Sequence, residues 1–189
     1  STHCISSAAS DVYKRQILGS LLILSACSNN DEKDKDTSDQ KSESHMKHND
    51  ESKVPENMKS TNEGEFKAGD KVTITAGHMP GMKGAEATVK GAYKTYAYVV
   101  SYKPTNGNEK VNNHKWVVNE EIKDAPKDGF SKGDTVKLEA SHMSGMKGAT
   151  VNIDNVKKTT VYVVDYKSKD NGKIIKNHKW MTGNELEAR

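Results

Sequence analysis

The residues best suited to chemistry in this chain are histidines and methionines in two matching loops. His78-Met79-Pro80-Gly81-Met82-Lys83-Gly84-Ala85 repeats as His142-Met143-Ser144-Gly145-Met146-Lys147-Gly148-Ala149, differing only at Pro80 and Ser144. A second motif, Asn113-His114-Lys115-Trp116, repeats in full as Asn177-His178-Lys179-Trp180. A thioether is a soft neutral donor and imidazole is intermediate, so the set favours copper as Cu(I). Zinc sites use thiolate, imidazole and carboxylate, while calcium and magnesium want oxygen. The candidate ligands are His78, Met79, Met82, His114, His142, Met143, Met146 and His178. Glycine between the methionines is expected to turn the loop so that both sulfurs converge. His114 and Trp116 stand two apart, which on a strand places them on one face. Trp116 and Trp180 are therefore candidate cation–π caps over a metal. The competing reading is structural: methionine fills gaps in cores, Gly-x-x-Gly loops turn chains, and His114, His178 and both tryptophans suit a barrel interior.

A looser tract, His45-Met46-Lys47-His48, offers His45, Met46 and His48 as an auxiliary metal site. No catalytic constellation accompanies these residues. The chain lacks Gly-x-Ser-x-Gly, His-Glu-x-x-His and a phosphate loop, and its carboxylates look scattered. The expectation is a binding protein and not an enzyme.

Before the motifs, Lys14 and Arg15 precede an apolar run, Ile17 to Leu24, which ends in Leu24-Ser25-Ala26-Cys27. The run is too short to span a bilayer. It reads as a lipoprotein signal with Cys27 as the lipidated residue, after an artefactual start over 1–15. Residues 1–27 form that leader, and Cys4 falls within it. Residues 28–65 are polar, too poor in apolar side chains to offset their ordering entropy, and are read as a disordered tether. Residues 27–65 hold six Lys against eleven Asp/Glu, while 66–189 hold 21 Lys/Arg against 14. An acidic leash thus precedes a basic folded part, whose charge either serves solubility or attracts an anionic wall polymer or lipid headgroups.

The elements that must position the motifs come from a duplication. Residues 66–125 align without gaps onto 130–189 at an offset of 64, with 24 of 60 positions identical. Each repeat alternates polar and apolar residues over short stretches rich in Tyr and Val, separated by Gly/Asn turns. The fold class is all-β, with five short strands per repeat. Two tandem small barrels are expected, SH3-like of the KOW kind or a similar open roll.

At these motifs, and over about 17–189, the chain resembles the YdhK family of bacterial lipoproteins, usually Gram-positive, with a lipobox, polar tether and tandem repeat. Gly77 fits the family pattern and Ser141 departs from it. Members of the CopL type bind copper and are linked to copper resistance. The resemblance implies an extracytoplasmic lipoprotein, anchored at Cys27 to the outer face of the cell membrane, that sequesters Cu(I) and supports copper tolerance. A copper exporter is a further candidate partner; nucleic acid is not. The alternative is a cell-wall-binding module without metal.

Overall fold

The computed structural model describes residues 53–189, which belong to one compact unit. Cys27, the leader, most of the expected tether and the tract His45, Met46 and His48 lie outside the described residues.

The described chain is all-β and antiparallel. Its strands are β1 (Lys71–Ile74), β2 (Glu86–Tyr102), β3 (Val111–Val118), β4 (Thr135–Lys137), β5 (Thr150–Lys167), β6 (Ile174–Thr182) and β7 (Leu186–Ala188). Short 3-10 turns at Asn119–Glu121 and Gly183–Glu185 follow β3 and β6. The sheet runs β4-β5-β2-β1-β7, with β3 on β2 and β6 on β5. This path does not close on itself.

Strands β2 and β5 hold 17 and 18 residues, far beyond the usual five or six. They pair along almost their whole length, from Ala87↔Tyr166 to Tyr102↔Val151, with shifts near Gly91 and Val100. Their length has a simple cause: each serves two cores. The first half of β2 and the second half of β5 flank one core, with Val72, Ile74, Met82, Val89, Tyr162, Val164 and Met181 inside. The other halves flank a second, with Tyr98, Val100, Val117, Leu138, Met146 and Ile153. Each core thus draws on both repeats. The boundaries 66–125 and 130–189 mark the duplication, not two separate cores.

Strand alternation sorts the remaining apolar residues. Tyr98 and Val100 enter the second core, while Ala97 and Val99, alternating with them, turn to a third cluster with Trp116, Val118, Val161, Val163 and Trp180. Both faces are covered here, so Ala97 to Val100 is buried without interruption. The end of the polar segment also takes part. Val54 and Met58 pack on the third cluster, and Ser60 bridges to Tyr93.

Candidate functional site

Each His-Met loop is a tight turn between two strands. Met82 N–H donates to Met79 O at 3.3 Å, and Met146 N–H to Met143 O at 3.2 Å. Gly81 and Gly145 sit at φ 76° and 78°, where glycine is the natural choice. They are needed for clearance as well. A Cβ on Gly145 would lie 2.6 Å from Asn106 Oδ1, and one on Gly81 would meet Ser168 Oγ. The hairpin of the opposite repeat seats against each loop, with Lys169 N–H donating to Gly81 O and Thr105 N–H to Gly145 O, both at 2.9 Å. The glycines therefore admit a neighbouring hairpin.

The methionines divide by position. Met82 and Met146 are fully buried, one in each main core. Met79 and Met143 are partly exposed, and Met79 packs against the first core.

Two buried polar clusters lie at the base of the loops. His78 Nε2 is 2.9 Å from Glu185 Oε1, and Trp116 Nε1–H donates to Glu185 Oε2 at 2.7 Å. In the other half His142 Nε2 is 2.7 Å from Glu121 Oε1, and Trp180 Nε1–H donates to Glu121 Oε2 at 3.0 Å. In both, histidine and tryptophan come from one repeat and the carboxylate from the other. The 3-10 turns place the carboxylates, which also accept from Val118 N–H and Thr182 N–H. Sequence reasoning missed Glu121 and Glu185. Their signal was present: of the acids in the repeats, only Asp70 and Glu121 recur at the offset of 64, as Asp134 and Glu185.

Burial alone would push both carboxyls up. For Glu121, the His142 charge and hydrogen bond, then Lys179 and the Trp180 N–H, outweigh burial and hold the group below its ordinary value of 4.5. For Glu185, the hydrogen bond and charge of His78, then Thr182 and Trp116, bring it down to about 2. Lys179, buried with Nζ 3.9 Å from Glu121, is lowered by desolvation, which that carboxylate partly opposes.

The strand histidines stand edge-on to tyrosines: His114 to Tyr102 at 6.2 Å and His178 to Tyr166 at 5.6 Å between ring centres. His114 also approaches His142 of the other repeat, at 6.1 Å. The structure thus brings a strand histidine to a loop histidine across the repeats. His114 and Trp116 do not share a setting, contrary to their spacing. Tyr98 pairs with Val117 and Val99 with Lys115, so Trp116 is the extra residue of a bulge. It turns into the third cluster while His114 stays by the second core. The cations over the indoles are lysines: Lys115 and Lys157 lie 5.4 and 5.3 Å from Trp116, and Lys179 lies 5.7 Å from Trp180. Among the described residues, no group of three or more His, Cys, Asp or Glu is placed to hold a metal.

Fold and site together define a duplicated all-β protein whose halves share matched His–Glu–Trp clusters. The family described as "Protein of unknown function (DUF1541)" matches twice, over residues 68–119 and 132–183, and the chain belongs to it. It is 52% identical over 177 residues to a Bacillus subtilis (strain 168) protein named "Uncharacterized protein YdhK", covering 92% of this chain and 86% of that one. The 2.00 Å crystal structure of a DUF1541 family protein (ydhK) from Bacillus subtilis superposes with TM-score 0.72 at 57% identity, over 73% of this chain and 94% of that one. A solution NMR structure of the ydhK C-terminal domain from B. subtilis gives TM-score 0.64 at 61% identity, over 66% and 94%.

Proposed function

We propose that this protein binds Cu(I), with each half of the molecule holding one site shared between the repeats. A loop histidine and its neighbouring thioethers come from one repeat, and a strand histidine from the other. One observation carries the reading: each loop imidazole is gripped at one ring nitrogen by a buried carboxylate, as His78 is by Glu185 and His142 by Glu121. Such a carboxylate is the partner that orients metal-binding imidazoles and raises their basicity. The 6.1 Å approach of His114 to His142 supports a shared site in the second half. The offset of 64 makes His178 the counterpart of His114, and in this reading it completes the first site. Met79 and Met143, partly exposed, are the thioethers an entering ion meets first. Met82 and Met146 lie deeper and serve the cores as well. Both tryptophans hold the carboxylates in place.

In this reading the chain is a lipoprotein anchored through Cys27 on the outer face of the membrane, holding Cu(I) away from the cell and supporting copper tolerance. Each half is an SH3-like, KOW-like unit completed by strand exchange. Around the first core the order is β7-β1-β2-β5-β6, with Gly183–Glu185 linking β6 to β7.

Titrating the full chain carrying Cys4→Ser and Cys27→Ser, so that no thiol competes, with Cu(I) against a chromophoric competitor tests this. The expected result is two equivalents bound. Changing Met79, Met82, Met143 and Met146 to Leu should weaken uptake at least about tenfold at a folding cost below about 1.5 kcal/mol per site, since Met and Leu are close in volume. Equal uptake by that variant would refute the proposal.

A further inference from the structure

The two repeats carry the same hairpin with different chemistry at its tip. In the second repeat, the turn between β5 and β6 reads Lys167-Ser168-Lys169-Asp170-Asn171-Gly172-Lys173-Ile174-Ile175-Lys176. The corresponding stretch of the first is Lys103-Pro104-Thr105-Asn106-Gly107-Asn108-Glu109-Lys110-Val111-Asn112. Four lysines against one acid thus face two lysines against one acid. Ile174, where the first repeat has Lys110, is 59% exposed, alone among the large apolar side chains of the described residues.

The hairpin does not act by itself. Lys167, Ile174 and Lys176 line a cavity of about 490 Å³ together with Lys71 and Arg189, which come from β1 and the chain end. Glu86 and Asp165 also line it, and each is engaged: Arg189 lies 2.8 Å from Glu86 and Lys176 2.9 Å from Asp165. Lys71 donates to Thr88 Oγ1. With Lys169 and Lys173 on the adjacent turn, cations exceed carboxylates around one protruding apolar side chain. The equivalents of Lys71 and Arg189 in the other half are Thr135 and Ala125, so among the described residues only one half carries the patch.

We propose that this face docks on an anionic phospholipid surface, with the lysines and Arg189 against the headgroups and Ile174 inserted between them. A clustered set of cations gains attraction from anionic lipid within a Debye length of the surface. An exposed apolar side chain among these cations adds burial that a soluble polyanion does not offer. The proposal is independent of metal binding.

The test uses residues 28–189, which omit the apolar leader and keep the whole compact unit, sedimented with vesicles of phosphatidylglycerol and phosphatidylcholine, and with phosphatidylcholine alone, at physiological ionic strength. Binding is expected on the anionic vesicles and not on the neutral ones. Grafting the first repeat's residues into the second, as K169T/K173E/I174K, should lower it about tenfold, because two net positive charges and the inserted side chain are lost. The graft borrows a sequence that already forms this hairpin, and an unchanged near-ultraviolet circular dichroism spectrum certifies its fold. Undiminished binding by the graft would overturn the proposal. So would tighter binding to soluble polyglycerol phosphate than to vesicles of equal phosphate content, which would assign the face to a wall polymer.

Discussion

At the scale of the residue, two carboxylates organise the molecule. Glu121 is 5% exposed, and it meets His142, Lys179, Trp180 and a backbone N–H at once. Removing the carboxylate from such a buried group leaves its desolvated donors without their main compensating charge. Glu121→Gln should cost roughly 3 kcal/mol at neutral pH, read by denaturant unfolding. The pH dependence follows from the direction of the shifts. Glu185 titrates near 2 when folded against 4.5 ordinarily, and Glu121 is lowered as well. A lowered folded value gives stability that is complete above about 4.5 and is lost as pH falls toward 2. The wild type should therefore lose stability across that window, and Glu185→Gln should flatten the profile there. The sequence made the histidines legible because a rare pair of residue types recurs. It hid the carboxylates because a lone Glu has no motif until its repeat partner is noticed.

At the scale of the element, the His-Met loop is a turn shaped by two kinds of glycine. Gly81 has φ 76° and lies against Ser168 and Asp170, whereas Gly84 has φ 77° and nothing within 4 Å of an added Cβ. Gly84→Ala should cost only backbone strain, about 1–2 kcal/mol. Gly81→Ala should cost more, because the same strain is joined by collision with the seated hairpin, and Tm measurements on the two variants separate these contributions. The strands were legible from alternation and from Tyr and Val content. The bulge at Trp116 was not, since one extra residue leaves no local mark yet turns the indole away from His114 and into the third cluster. The pairing of hairpin with loop was also hidden, because it joins residues of different repeats that share no pattern.

At the scale of the whole molecule, the duplication fits the sequence and the cores cross it. Nothing in the linear pattern says which half of β2 belongs with which half of β5, because both halves carry the same alternation. The consequence is testable. A fragment of residues 66–125 or 130–189 alone holds half of each core, so neither should fold as a monomer. Two-dimensional amide spectra of each should show little dispersion or report a self-paired dimer, and mixing the two should restore the dispersion of the intact chain.

The same exchange decides how the metal sites are shared, and Cu(I) stoichiometry in paired histidine variants tests it most directly. In the shared arrangement, His142 works with His114 and His78 with His178. The variant H78A/H114A then damages both sites and should bind no Cu(I) tightly, while H78A/H178A damages one and should retain one equivalent. The reverse outcome, one equivalent kept by H78A/H114A and none by H78A/H178A, would place each site within a single repeat and contradict the account.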